Sequence, residues 1–152
     1  MSDRIWTVYL SGEIHTNWRE ELIAKTSDLQ LPIQFTSPQT DHETSDDCGV
    51  KAFGDEEKSF WKDYKGAKLN SISNRRLIEE ADLVVIRFGD KYRQWNAAFD
   101  AGLASALGLS YITQHDESLD HALKEVDAQS SGTARSIDDL VKALKYISTG
   151  SL

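Results

Sequence analysis

Short apolar runs separated by amphipathic stretches set the pattern of this chain. Residues 5–10 (IWTVYL) are β-branched and aromatic and lead straight into Ser11-Gly12, which predicts a first strand ending in a turn. Thr16 or Asn17 can then cap a helix with Trp18, Leu22, Ile23 and Leu29 at helical spacing and Glu20 and Glu21 near its N-terminus. Residues 32–35 (PIQF) predict a short second strand, with proline at its start, where no ladder hydrogen bond is lost. Residues 70–82 predict a helix that buries Ile72, Leu77 and Ile78. The central unit follows: a buried strand at 83–88 (LVVIRF), a polar turn (GDKYRQ), a small-residue helix at 95–108 (WNAAFDAGLASALG) and an apolar strand at 109–113 (LSYIT). Beyond it, residues 118–126 predict a helix and residues 133–135 an edge strand. Ser136 caps a final amphipathic helix with Ile137, Leu140, Val141, Leu144 and Ile147 as its stripe, Asp139 in the capping-box position and Gly150 at its end.

Between 37 and 69 the pattern fails. Residues 41–57 hold seven acids against one lysine, with no sustained periodicity. A connection of this length is commonly functional or mobile. Its aromatics, Phe53, Phe60, Trp61 and Tyr64, leave two readings open: a lid over a site, or a surface excursion packed by its own rings. Elsewhere strand and helix alternate, and the strands are uninterrupted apolar runs, which is the signature of a parallel sheet covered on both faces. The expected fold is α/β, a doubly wound, mostly parallel sheet of about five strands in the flavodoxin-like order 2-1-3-4-5, in three layers. One domain over 1–152 is expected, interrupted only by the irregular excursion at about 37–69.

Composition narrows the function classes. A chain of 152 residues buries a core without crosslinks, and a single cysteine, Cys48, leaves neither a disulfide nor a cysteine cluster for zinc. No charged-then-apolar leader opens the sequence, and no apolar run approaches the roughly 18 residues of a membrane span, so a soluble, cytoplasmic protein with no membrane partner is expected. A net charge of −8 argues against a nucleic acid polymer as partner. The acidic run DHETSDD (41–47) lacks the glycine and terminal glutamate of a calcium loop, and one histidine makes no zinc motif. It reads as a solvated acidic face, from which His42 and Asp46 could reach back toward a site.

In a sheet of this order, ligands bind beyond the C-terminal strand ends where strands one and three send their connections to opposite faces. The sequence places Ser11, Gly12, Glu13 and His15 after strand one, and Gly89, Asp90, Lys91, Tyr92 and Arg93 after strand three. Asp100 sits early in the next helix among Ala, Phe, Gly and Leu, with Asn96 on the same helical face. A carboxylate there costs free energy unless it is paired or used, and Arg75, Arg76 and Arg87 are the distant cations that could pair with it. Trp95 reads either as packing at the helix start or as a stacking surface for a base or sugar.

The segments VYLSGEIHTNWREE (8–21), DHETSDD (41–47) and FGDKYRQWNAAFDAG (88–102) together resemble the YtoQ family of small bacterial proteins. More distantly the layout resembles the nucleoside 2-deoxyribosyltransferase-like superfamily, in which a YLAG or YFCG turn meets the carboxylate of an E-x-G-x-A helix. Here YLSG (9–12) matches the turn and Asp100-Ala101-Gly102-Leu103-Ala104 the helix, with aspartate replacing glutamate. The resemblance implies Asp100 as nucleophile at an anomeric carbon, with Asp90 and then Glu13 as acid or base. It places Tyr9, Ser11, Gly12, His15, Gly89, Tyr92, Arg93, Trp95 and Asn96 around the ligand. The helix N-terminus is expected to help keep Asp100 ionised. The implied partner is a small-molecule nucleoside or nucleotide, with no cofactor and no metal, and a homodimer or larger homo-oligomer follows by resemblance. The alternative is a non-catalytic nucleotide or sugar-phosphate binding module, and a third reading is an interaction protein using the acidic excursion.

Overall fold

The computed structural model describes residues 4–152. Five parallel strands, β1 (Trp6–Gly12), β2 (Ile33–Thr36), β3 (Leu83–Arg87), β4 (Tyr111–Gln114) and β5 (Gly132–Ala134), form one sheet in the order β2-β1-β3-β4-β5. The helices are α1 (Trp18–Asp28), α2 (His42–Phe53), α3 (Ser59–Glu79), α4 (Trp95–Ala106), α5 (Lys124–Ala128) and α6 (Ile137–Thr149). Among the described residues, no helix is long and apolar enough to cross a membrane.

Both sheet faces are buried, which is why the strands read as continuous apolar runs. Val8, Leu10, Leu83 and Val85 point to one face and pack on Trp18 and Leu22 of α1 and Leu140 and Leu144 of α6. Tyr9, Val84 and Ile86 alternate to the other face, where they meet Ile78 of α3 and Ala97, Ala101 and Ala104 of α4. That alanine stripe lets the α4 backbone lie close to the sheet and brings the rest of the helix toward the ends of β1 and β3.

Three expectations need correction. The excursion at 37–69 is not irregular: it contains α2 and most of α3, so the helix predicted at 70–82 begins at Ser59 instead. Asp41 caps α2 by accepting from the Thr44 amide at 2.8 Å. The two helices cross at Gly49 and Gly66, where a Cβ on Gly49 would stand 2.4 Å from the Gly66 amide nitrogen. Polar contacts finish the interface: Asn70 donates to the Ser45 carbonyl at 3.1 Å, Lys62 pairs with Asp47 at 2.5 Å and Lys65 with Glu56 at 2.7 Å. A helix pair joined by glycines and ion pairs leaves no apolar stripe to read. Phe60, Trp61 and Tyr64 pack on one another at the surface, with Phe60 and Trp61 ring centroids 4.9 Å apart, and Phe53 is exposed.

Second, Ile72 is 69% exposed, because α3 presents Ile78 and Leu77 to the core and turns Ile72 outward. Third, residues 118–126 hold a 3₁₀ turn at Glu117–Leu119 and the start of the five-residue α5, not one helix.

Candidate active site

The C-terminal edge of β1 and β3 collects polar groups that the core otherwise excludes. Ser11 follows Tyr9 on the α4-facing side of β1, and its hydroxyl donates to Asp100 Oδ2 at 2.6 Å. Asp100 is half-buried in the second turn of α4. The cations that could have neutralised it are engaged elsewhere: Arg75 on Glu79 at 2.8 Å, Arg76 on Glu80 at 2.9 Å and Arg87 against Glu13 at 3.5 Å. Among the described residues no basic side chain pairs with Asp100, and Ser11 is its hydrogen-bond partner. Burial pushes its carboxyl above the usual range, and the Ser11 hydrogen bond only partly opposes that.

Beneath this pair lies the Tyr9 hydroxyl, fully buried and without a hydrogen-bond partner among the described residues. Burial, and then the negative charge of Asp100, push its pKa up while Arg19 pulls the other way, so the phenol stays neutral.

The turn after β1 is held by backbone contact and by α1. Gly12 has φ +106°, and a Cβ there would stand 2.0 Å from the Arg87 carbonyl oxygen. The next amide, of Glu13, donates to that same oxygen at 3.0 Å. Arg19, buried to 7% exposure, donates to the carbonyls of Leu10 at 3.1 Å, Gly12 at 3.3 Å and Glu13 at 2.6 Å. Trp18 Nε1 adds a bond to the Glu13 carbonyl at 2.7 Å. Trp18 and Arg19 thus clamp the site loop; the sequence shows them only as a helix start.

Glu13 is an anchor more than an acid. Its carboxylate accepts from the His15 amide and from the Thr16 hydroxyl at 2.6 Å. Arg87 Nε lies 3.5 Å away, close enough for an ion pair but making no hydrogen bond. Burial raises its pKa, but these hydrogen bonds and the arginine prevail and hold it below the ordinary value. Such a carboxylate stabilises the fold above the usual carboxyl range and loses that contribution as pH falls through its lowered pKa. Glu13→Gln is therefore expected to cost about 1.5–3 kcal/mol at pH 7. Urea melts at pH 7 and pH 3 check this, because the difference from the parent protein should shrink in acid.

The β3–α4 loop interlocks with this anchor, since a Cβ on Gly89 would meet Glu13 Cγ at 2.6 Å. Asp90 is exposed and faces a cavity of about 500 Å³ over the ends of β3, β4 and β5, lined also by Arg87, Gln114, Asp116 and Arg135. Lys91, Arg93 and Asn96 are exposed. Trp95 is 71% exposed, so it does not pack at the helix start; Arg93 covers its ring at 5.7 Å. His15 and Tyr92 meet with ring centroids 4.6 Å apart. His42 reaches back from α2 to stack on His15 at 5.5 Å, while Asp46 lies at the α2–α3 crossing. A larger cavity of about 640 Å³, between α1 and β2, is lined by Ile23, Thr26, Gln30 and Phe35 among others and holds no ionisable group. It is not the chemical site.

Sequence reasoning missed a second polar cluster at the end of β4. His115 is buried, with Nε2 2.8 Å from Asp127 and Nδ1 2.8 Å from the Asp116 carbonyl. Ligand atoms of His115, Asp120 and Asp127 lie within 4.8 Å of one another. However, Arg135 grips Asp120 at 2.6 and 3.1 Å, and both ring nitrogens are already partnered. A metal ion would have to displace a guanidinium, so the donor set fits an ion-pair network better than a metal site.

With this geometry in place, comparison with known proteins identifies the lineage. Over residues 9–148 the sequence matches the family described as nucleoside 2-deoxyribosyltransferase YtoQ. It is 42% identical over 140 residues to the uncharacterized protein YtoQ of Bacillus subtilis (strain 168), covering 92% of this chain and 95% of that one. Among solved structures, a conserved protein from Enterococcus faecalis V583 superposes with a TM-score of 0.60 at 16% identity, over 95% of this chain and 99% of that one. A 2-deoxyribosyltransferase from Bacillus psychrosaccharolyticus superposes with a TM-score of 0.57 at 14% identity, over 89% and 90%. At such identities these two likenesses speak for the fold. The sequence match carries the rest: the chain belongs to the nucleoside 2-deoxyribosyltransferase YtoQ family.

Proposed function

We propose that this protein cleaves the N-glycosidic bond of a nucleoside or nucleotide, with Asp100 as the nucleophile. The family supports nucleoside glycosyl transfer or hydrolysis in general terms. The observation that carries the particular reading is a half-buried carboxylate at the β1–β3 edge with no cation paired to it among the described residues, oriented by one short hydrogen bond from Ser11.

In the reaction, an Asp100 oxygen forms a bond to the anomeric carbon as the bond from that carbon to the base nitrogen breaks. The base departs with the bonding electrons and takes a proton from an acid. Water, or a second base, then attacks the glycosyl ester and releases Asp100 with its electron pair. Ser11 holds one carboxylate oxygen so that the other is turned to the sugar. Asp90, exposed at the end of β3 on a cavity that Asp100 does not itself line, is the acid assigned to supply the proton; Glu13, fixed as an anion by its partners, does not. Aspartate is one methylene shorter than the superfamily's glutamate, so the sugar must come closer to α4. The alanine stripe beneath the helix and the Ser11 contact set how close that is.

The test is incubation with a panel of nucleosides and nucleoside 5′-monophosphates, with and without a second free base, followed by chromatography for released base. Base release that depends on Asp100 is expected. If no substrate yields free base, or if release survives in Asp100→Ala, the catalytic reading fails and a binding module remains.

A further inference from the structure

Three rings meet beyond the C-terminal ends of β1 and β3, from segments far apart in sequence. His15 comes from the β1–α1 loop, His42 is the first residue of α2, and Tyr92 lies in the β3–α4 loop. His15 sits between the other two, with centroids 5.5 Å from His42 at 26° and 4.6 Å from Tyr92 at 45°. These are the separations of interacting aromatic rings. None of the three is buried, and Tyr92 is 63% exposed.

The supports behind the rings are rigid. The His15 amide is tied to the Glu13 carboxylate, and the Tyr92 loop is held against that residue through Gly89. His42 stands at the capped start of a helix locked to α3 by the Gly49–Gly66 crossing. Rings on fixed supports lose little freedom when a ligand covers them, which favours affinity. The cluster is only three rings, with charged neighbours in sequence, Asp41 and Glu43 beside His42 and Lys91 and Arg93 beside Tyr92. That suits a small planar ligand and is too small for a protein interface.

We infer that His15, His42 and Tyr92 form a stacking wall for the face of a planar heteroaromatic ring, the base of the ligand. This inference rests on the N-glycosidic reading for the direction in which the sugar points, but the wall itself binds a base whether or not bond cleavage follows. The ring faces not turned to a neighbouring ring read no hydrogen-bonding edge. Purine and pyrimidine should both bind, the larger purine more tightly, and selectivity against a sugar phosphate without a base should be lost when the rings are removed.

The experiment measures binding of free adenine, cytosine and ribose 5-phosphate by saturation-transfer NMR titration to the parent protein, His42→Ala, His42→Phe, and the double variant H42A/Y92A. Circular dichroism verifies that each variant is folded. Adenine affinity is expected to fall about tenfold in His42→Ala and further in the double variant. His42→Phe should keep it near the parent value, since a ring without nitrogens still stacks. Ribose 5-phosphate binding should be indifferent to all three changes. Adenine binding that is absent in the parent protein, or unchanged in H42A/Y92A, overturns the inference. On any substrate that is cleaved, ring removal should raise KM with little change in kcat. Asp100-dependent cleavage with an unmoved KM removes the wall and leaves the catalytic reading intact; ring-dependent base binding without cleavage does the reverse.

Discussion

Asp100→Asn is expected to abolish base release, by a factor on the order of 10⁴ in kcat, while making the protein more resistant to unfolding at neutral pH. Both effects come from one fact, that a carboxylate is held half-buried with, among the described residues, a single hydroxyl donor and no paired cation. The amide cannot form the glycosyl ester, which accounts for the loss of turnover. For stability, burial raises the carboxyl pKa in the folded protein. A group with a raised folded pKa contributes its stability below the unfolded carboxyl range and loses it as pH rises through the folded value. At pH 7 the parent protein therefore holds an ionised group that burial disfavours, and asparagine relieves that cost while still accepting from Ser11. Thermal melts from pH 3.5 to pH 8 should show the two proteins together in acid and separating upward in pH, with Asp100→Asn the more stable. A variant less stable than its parent at pH 8 would mean that Asp100 is paired in the fold and is not a group kept for chemistry.

The second large effect is expected at Gly12. Gly12→Ala places a Cβ 2.0 Å from a carbonyl oxygen of β3, on a backbone with φ +106°. The neighbour is main chain in the middle of the sheet, so neither partner yields without opening the β1–β3 register. Left-handed strain alone is typically about 1–3 kcal/mol, and with the clash the loss should exceed roughly 4 kcal/mol. Gly54 is the control. It also has positive φ, at +93°, but a Cβ there meets nothing within 4 Å. Gly54→Ala should cost no more than the strain. Urea titrations of the two variants check this through the shift in midpoint at constant slope. Equal costs would show that the contact with Arg87 is not what fixes the turn.

How much of this was legible in the sequence depended on whether packing was apolar. Strands such as LVVIRF and the α6 stripe announce themselves because their neighbours are hydrocarbon; their alternation with helices marked a parallel sheet, and the strand order was that of the flavodoxin-like class. Asp100 was legible for the converse reason, as a charge among alanines. The α2–α3 pair was hidden because Gly49 and Gly66 join it by backbone contact, with ion pairs around them, and neither produces a periodic signal. Arg19 reads as a surface residue in sequence, and only the fold shows its guanidinium buried against three carbonyls at the end of β1. The pairing of His115 with Asp127 spans twelve residues and a turn, and nothing in that turn's composition marks it. His42 was legible as a residue that could return to the site, though the helix that returns it was not.

The central claim is that Asp100 becomes covalently bonded to the sugar during turnover. The most direct measurement is acid quenching of the protein in mid-reaction with a cleaved substrate, followed by proteolysis and mass spectrometry of the carboxylate-bearing peptides. The account predicts a glycosyl mass increment on the peptide containing Asp100, lost in Asp100→Asn. An increment on the peptide containing Glu13 or Asp90 instead would contradict it.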